Sequence, residues 1–266
     1  MINFDLMVEK IFDESKFDGQ IGVILGSGLG KITSTIKNSE LIPYISIPHY
    51  PQTTVEGHPG ELVLGTIHDF DILIAKGRFH YYEGYSFEEI TIPIQLFSRL
   101  GIKYLIITNS AGSMNLNHPP GNFMVADSHM DCTFRRGPSD PEIRSHSIFH
   151  NPSLIQIAQS SAEKLELEIN TGTYCWTLGP SYETPAEIEN MLDLGGDAVG
   201  MSTVPEIVTA AKLGIKTLTL SCLTNYAAGI AKSPLSHQEV VTNAKKFDKN
   251  FSNLIIEIIK RIYREI

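Results

Sequence analysis

Short apolar segments that each run into a cluster of small and polar residues recur along this chain, and they constrain its fold more than any other feature. Their Ile, Leu, Val, Thr and Tyr content is typical of β-strands. Several are apolar on both faces, as in strands that are covered on both sides of a parallel or mixed sheet. The segments are residues 21–25, 71–75, 104–108, 173–178 and 216–222.

Helix starts lie among these segments. A Ser or Thr followed three positions later by Glu is the pattern of a capping box, and Pro185 takes the first helical position of one box. The boxes are Ser86/Glu89, Thr184/Glu187, Thr203/Glu206 and Ser236/Glu239. The last box opens a long C-terminal helix with apolar residues every three or four positions, namely Val240, Ala244, Phe247, Phe251, Leu254, Ile258 and Ile262.

Alternating strands and helices predict an α/β fold. We expect one domain over residues 1–266, with a mixed central β-sheet flanked by helices. The stretch 115–152 is rich in Pro and Gly and is interpreted as a surface excursion rather than a domain boundary.

Composition excludes several classes of protein. The 266 residues carry 21 basic and 30 acidic side chains, a net charge of −9, which argues against a nucleic-acid partner. No apolar run is long enough to cross a membrane. The N-terminus lacks a basic region followed by a long apolar one, so no signal peptide is expected and the predicted location is the cytoplasm.

Cys132, Cys175 and Cys222 are far apart, which favours buried thiols over a disulfide framework or a metal site.

Each predicted strand ends in side chains suited to a small ligand. In α/β sheets, ligands bind beyond the carboxyl ends of the strands. If these strands are parallel, we expect their five ends to converge on one pocket, with ordinary turns as the alternative. The clusters are 26–30, 76–80, 109–112, 179–183 and 223–226.

The glycine-rich cluster at 26–31 matches neither common nucleotide-binding motif. A P-loop requires Gly at the position of Leu25 and Ser or Thr at that of Ile32. The dinucleotide fingerprint requires Gly at the position of Lys31. The loop is interpreted as an anion cradle in which Ser27 offers a hydroxyl, with a structural tight turn as the alternative.

The segment after the second predicted strand combines an anion-binding guanidinium with aromatic residues. Arg78 offers a planar fork of donors, and His80 adds a donor if it is protonated or in the right tautomer. In an extended segment Arg78, His80 and Tyr82 share one face. Glu183 and Asn225 can read a heterocycle, since a carboxylate accepts and a carboxamide both donates and accepts; neither is specific alone.

At these residues the chain resembles the homotrimeric purine nucleoside phosphorylase family. The similarity extends over nearly the whole length, in GSGLG (26–30), VEGHPGELVLG (55–65), GRFHYYEGY (77–85), TNSAG (108–112), GPSYETPAE (179–187), DAVGMSTVPE (197–206) and LTNYAAG (223–229). It implies reversible phosphorolysis of inosine, guanosine and their 2′-deoxy analogues to free base and (deoxy)ribose 1-phosphate, in purine salvage. Inorganic phosphate would be the co-substrate, and no metal or organic cofactor is implied.

The resemblance also implies roles for single residues. Asn225, Glu183 and His80 would be catalytic, with Glu183 at the N1 edge of the purine and Asn225 at N7. Phe134 would reach the site of a neighbouring subunit. Phosphate would be held by Ser27, His58, Arg78, His80, Ser110 (through its backbone) and Ser202. The nucleoside would also contact Tyr82, Tyr182, Met201, Thr224 and His237.

Three positions depart from many family members, and three other functions stand as alternatives. Ser110, Tyr182 and Tyr226 stand where Ala, Phe and a basic residue are common. A methylthioadenosine phosphorylase of the same fold would carry Asp in place of Asn225 and lack His237. A nucleoside hydrolase would use water instead of phosphate. A non-catalytic nucleotide-binding module is disfavoured by the glycine spacing.

Overall fold

The computed structural model describes residues 2–55, 58–135, 137, 139, 141–231 and 236–265, apart from the side chains of His237 and Glu239. The helices of this part are α1 (Phe4–Glu14), α2 (Phe87–Ile90), α3 (Ile92–Arg99), α4 (Pro152–Lys164), α5 (Pro185–Asp193), α6 (Val204–Lys212) and α7 (His237–Glu265). The strands are β1 (Ile21–Leu25), β2 (Lys37–Pro43), β3 (Glu61–Ile67), β4 (Phe70–Lys76), β5 (Tyr104–Ser113), β6 (Phe123–Asp131), β7 (Ile169–Trp176), β8 (Ala198–Gly200) and β9 (Lys216–Tyr226).

All of these strands belong to one mixed sheet in the order β2-β3-β4-β1-β5-β8-β7-β6-β9. Strands β4, β1, β5 and β9 run parallel to one another. Strands β6, β7 and β8 run the opposite way, because β8 pairs antiparallel with β5 and β6 pairs antiparallel with β9. The predicted mixed α/β sheet is confirmed.

The last five strands also close on themselves. Strand β9 pairs with both β6 and β5, so the ladder β5-β8-β7-β6-β9 returns to β5 as a small barrel at one side of the sheet. Closure removes the open edge that β9 would otherwise present. Strands β5 and β9 are long because they belong to both the open sheet and the barrel.

Helices cover both faces of the open sheet, as the alternation of β1 shows. Ile21, Val23 and Leu25 pack in the cluster that contains α4 and α7. Ile24 packs in the opposite cluster with α1, α3 and α6. The predicted apolar face of α7 is confirmed for Ala244, Phe251, Leu254, Ile258 and Ile262, which are buried.

Several sequence-based expectations are corrected. The interpretation of 115–152 as an excursion is wrong for 123–131, which form β6 inside the barrel. The third and fifth segments do not end at Thr108 and Cys222, since β5 and β9 continue to Ser113 and Tyr226.

The predicted capping boxes have different outcomes. Those at Ser86 and Thr184 are confirmed. Thr203 makes no side-chain cap, because its φ of 78° lies in the left-handed region and Glu206 has another partner. The box at Ser236 involves Glu239, whose side chain lies outside the described residues.

All three cysteines are buried and none forms a disulfide. Among the described residues, no helix is both long and apolar enough to span a bilayer.

Candidate active site

The predicted convergence of polar side chains occurs in one cleft beside the barrel. It is lined by Ser27, Arg78, His80, Tyr82, Asn109, Ser110, Ala111, Gly112, Tyr182, Glu183, Val199, Gly200, Met201, Ser202, Thr224, Asn225, Ala227 and Val240. All five predicted clusters contribute, although only four of the predicted strands are parallel. Strand β7 runs the opposite way, and its end lies level with Gly200 of β8. Strand β8 pairs with the carboxyl end of β5, at Gly112 and Ser113. The carboxyl ends of β7 and β8 therefore also reach the cleft.

An irregularity in the β5–β9 ladder presents two consecutive side chains to the cleft. Ala111 pairs with Leu223 and Gly112 pairs with Asn225, so Thr224 is an extra residue in β9. A bulge of this kind interrupts the alternation of side chains between the two faces. Thr224 and Asn225 consequently both line the cleft and are both buried.

Hydrogen bonds fix the orientation of the Asn225 carboxamide. The Thr224 hydroxyl donates to Asn225 Oδ1 at 2.9 Å, and Asn225 Nδ2 donates to the carbonyl of Tyr226 at 2.9 Å. Asn243 of α7 supports the same segment by donating to the Thr224 carbonyl at 2.8 Å. The amide nitrogen, which is the donor end, is thereby held in a defined position.

The cationic half of the cleft is the name we give to Ser27, Arg78, His80 and Ser202, together with His58 behind Ser27. Ser27 Oγ lies 3.0 Å from His58 Nε2, and the Ser110 hydroxyl donates to the Ser27 carbonyl at 2.9 Å. His58 does not line the cleft directly, but its ring is buried against Ser27.

Helix α7 anchors the glycine-rich loop. Asp248 accepts a hydrogen bond from the backbone N–H of Lys31 at 2.8 Å. Gly28 has a φ of 76°, and a Cβ there would lie 2.7 Å from the Cβ of Ala244. Glycine is thus required at this position both for its backbone conformation and for the approach of the helix.

Arg78 is a buried cation with a prearranged counterion. It is 2% exposed, and its guanidinium contacts Glu206 through Nε at 3.2 Å and through NH2 at 3.2 Å. NH1 donates to Ser202 Oγ at 3.2 Å. Burial raises the pKa of Glu206, and the Arg78 guanidinium opposes that rise. Glu206 was not predicted as a site residue, because its spacing from Thr203 matched a capping box.

His80 is paired with a carboxylate. Its Nδ1 lies 2.9 Å from Glu83 Oε1, and its backbone N–H donates to the same oxygen at 2.7 Å. Burial by itself would raise the pKa of Glu83, but hydrogen bonds from His80 and Thr54 outweigh it and lower that pKa to about 2. An ionised carboxylate only accepts, so Nδ1 carries a hydrogen. Nε2 can then donate to an anion only when the ring is protonated. Of the two conditions that the sequence left open for His80, protonation or the right tautomer, the structure favours protonation.

The expected extended face of Arg78, His80 and Tyr82 is replaced by a turn. Residues Tyr81–Glu83 form a short 3₁₀ helix. The Tyr82 ring nevertheless stacks on His80, with 4.8 Å between ring centroids, so both side chains reach the cleft.

The amide half of the cleft consists of Tyr182, Glu183, Thr224 and Asn225. Tyr182 is 37% exposed. Glu183 precedes Thr184, the N-cap of α5, and the Thr177 hydroxyl lies 2.5 Å from Glu183 Oε1. Thr177 was not predicted as a site residue, since a threonine at a strand end carries no recognisable signal.

Two described residues among those predicted, Phe134 and His58, do not line the cleft. Phe134 is 52% exposed and lines a neighbouring cavity of about 670 Å³, which also touches Tyr182 and Glu183. The side chain of His237 lies outside the described residues. The remaining predicted site residues, His58 excepted, line the cleft.

Comparisons with known proteins agree on one family. A family model described as the phosphorylase superfamily matches residues 20–260. Purine nucleoside phosphorylase 1 of Geobacillus stearothermophilus is 41% identical over 250 residues, which cover 91% of this chain and 91% of that protein.

Solved structures give the same result. Schistosoma mansoni purine nucleoside phosphorylase in complex with inosine superimposes with a TM-score of 0.87 at 32% identity, over 96% of this chain and 95% of that one. Isoform 2 from the same organism, in complex with cytosine and ribose-1-phosphate, gives a TM-score of 0.88 at 36% identity, over 97% and 96%.

Proposed function

This chain belongs to the phosphorylase superfamily and, within it, to the purine nucleoside phosphorylases, and on that premise we propose that it cleaves inosine and guanosine, with their 2′-deoxy analogues, by phosphorolysis. The products are the free purine and (deoxy)ribose 1-phosphate, and the reaction is reversible. Relatives whose structures contain inosine and ribose-1-phosphate support these substrates.

The observation that carries this proposal is that an anion-binding group and a base-reading group line one cleft. Arg78, with Ser202 on its NH1, lies in the same cleft as Glu183 and Asn225. A reaction that brings phosphate to a nucleoside needs both groups within reach of one sugar. Separate surfaces for the two groups would have excluded it.

The cationic half would hold phosphate below the sugar. Arg78 supplies positive charge, and His80 donates from Nε2 when its ring is protonated. Ser27, His58, Ser202 and the backbone at Ser110 supply or orient hydrogen bonds. Since Glu206 and Glu83 already fix Arg78 and His80, little reorganisation is needed when the anion binds. The bound anion attracts the positive charge that develops on the sugar and then captures C1′.

The amide half would stabilise the departing purine. Negative charge grows on the base as the glycosidic bond breaks, and N7 becomes the basic position. Asn225 Nδ2 is held by Tyr226 through one hydrogen and carries a second, which would donate to N7. Glu183 would accept the N1–H of a 6-oxopurine, with Thr224 and Tyr182 supporting the base. A preorganised donor of this kind is typically worth about 3 kcal/mol in the transition state.

The same chemistry needs neither a metal ion nor an organic cofactor, because the chain's own side chains supply the charge. We further propose a cytoplasmic homotrimer in purine salvage, in which the exposed Phe134 covers the sugar of a neighbouring subunit. Tyr82, Met201 and His237 would contact the ribose. The chain would bind neither membranes nor nucleic acid.

The deciding experiment is release of hypoxanthine from inosine by the purified protein, with and without inorganic phosphate. We expect release that depends on phosphate and produces ribose 1-phosphate. Adenosine and methylthioadenosine are run beside inosine, because Asn225 favours 6-oxopurines over 6-aminopurines. Equal release without phosphate would indicate a hydrolase, and a preference for methylthioadenosine would indicate the phosphorylase specific for that compound.

A further inference from the structure

Thr177 supports the Glu183 carboxylate from outside the cleft. Its hydroxyl lies 2.5 Å from Glu183 Oε1, and its backbone N–H donates to the Gly200 carbonyl at 3.0 Å. Thr177 follows directly after β7 and is therefore fixed between β7 and β8. It lines the neighbouring cavity and is absent from the lining of the cleft, whereas Glu183 lines both.

The direction of this hydrogen bond follows from the chemistry of the pair. An ionised carboxylate can only accept, so Thr177 donates to Glu183. The terminal torsion of a glutamate is broad and roughly two-fold, so the carboxylate plane is poorly fixed by the side chain itself. A hydroxyl attached to a rigid strand end fixes that plane and directs the other oxygen to a ligand.

The two 6-oxopurines differ in what they offer to such a carboxylate. Hypoxanthine presents one donor on this edge, N1–H. Guanine presents two, N1–H and the 2-amino group, and can engage both carboxylate oxygens at once. Guanine can therefore hold the carboxylate plane by itself, whereas hypoxanthine cannot.

We propose that Thr177 is a positioning residue that supports turnover of inosine relative to guanosine. Its hydroxyl fixes the Glu183 carboxylate, which the second donor of guanine can do in guanosine but which hypoxanthine, lacking that donor, cannot do in inosine. This inference rests on the proposed function and on the role of Glu183 in it. Thr177 does not contact the base, and it acts only through Glu183.

The test compares variants at position 177 with both nucleosides at saturating phosphate. For Thr177→Val, which keeps the shape and removes the donor, we expect kcat/KM for inosine to fall about tenfold, mostly through KM, and that for guanosine to change less than about threefold. Thr177→Ser keeps the hydroxyl and should retain the wild-type ratio of the two nucleosides. Thr177→Ala, which also lacks the hydroxyl, should reproduce the shift seen with Val.

A matched control is Thr133→Val. Thr133 lines the same cavity, but its hydroxyl bonds Asp131, so its removal should leave the inosine-to-guanosine ratio unchanged. The inference is overturned if Thr177→Val lowers kcat/KM equally for both nucleosides, or if it leaves kcat/KM for inosine unchanged. It is also overturned if Thr177→Ser behaves like Thr177→Val. Wild-type protein that releases no base would overturn the proposed function together with this inference, whereas active wild type with an unshifted ratio in Thr177→Val overturns this inference alone.

Discussion

The two halves of the cleft are held in place by different means. In the cationic half, Arg78 is 2% exposed and ion-paired with Glu206, and His80 is paired with Glu83. In the amide half, Tyr182 is 37% exposed and the Glu183 carboxylate is held by one threonine hydroxyl. The proposed anion-binding half is therefore built into the core, while part of the proposed base-binding half lies on a surface loop. Substitutions in the cationic half should cost both stability and activity, and those at the loop should cost activity alone.

The largest combined effect is expected for Arg78→Met. Removing the guanidinium leaves the buried Glu206 unpaired, which should lower the free energy of unfolding by about 3–5 kcal/mol and abolish phosphate-dependent turnover. Urea unfolding and the inosine assay measure the two effects. The double variant Arg78→Met/Glu206→Leu should recover most of the stability and none of the activity. A single variant as stable as wild type would contradict a structural role for this ion pair.

Glu183→Ala should separate activity from stability. We expect loss of inosine turnover, because the substitution removes the proposed acceptor of the N1–H of the base. The free energy of unfolding should change by less than about 0.5 kcal/mol, as is usual for a partly exposed position. If this variant cleaves inosine at the wild-type rate, Glu183 does not read the base.

Asn225→Ala should affect the rate more than binding. A donor to N7 gains strength as charge develops on the leaving base, so kcat for inosine should fall about 100- to 1000-fold while KM changes little. Steady-state kinetics at saturating phosphate provide both constants. An intact kcat would remove Asn225 from stabilising the leaving group.

The smallest effect concerns pH and sharpens the comparison within the cationic half. The pKa of Glu83 is lowered from 4.5 to about 2, so its ionised form stabilises the fold above about pH 4.5, and this contribution disappears as the pH falls toward 2. The Tm of Glu83→Gln should lie below that of wild type at pH 6, and the gap should narrow as the pH is lowered through 4. A gap that is constant with pH would mean that the charge of Glu83 does not matter.

Side chains at strand ends were predictable from the sequence because the rule for α/β sheets is local. Ser27 and Arg78 each follow an apolar strand of the parallel set, so their convergence required no knowledge of distant pairings. The condition that all five segments run parallel does not hold for β7. Its direction depends on closure of the barrel through β9, which is a pairing distant in sequence that no local pattern encodes.

The groups that position the site were harder to predict than the groups that line it. Glu206 and Thr177 act on Arg78 and Glu183 from sequence distances of 128 and 6 residues. Neither shows a motif, and the spacing of Glu206 from Thr203 favoured a helix cap instead. Strand β8 is only three residues long, too short for a periodic signal.

The bond between Asp248 and the backbone of Lys31 joins residues 217 positions apart. During synthesis the glycine-rich loop leaves the ribosome long before the helix that anchors it, so the loop must wait for nearly the whole chain to be translated. Contacts this distant in sequence slow folding, because the entropy of closing a long loop must be lost first, and domains generally fold as units. In a nascent chain, the proposed phosphate-binding loop would therefore reach its anchored form only as folding finishes.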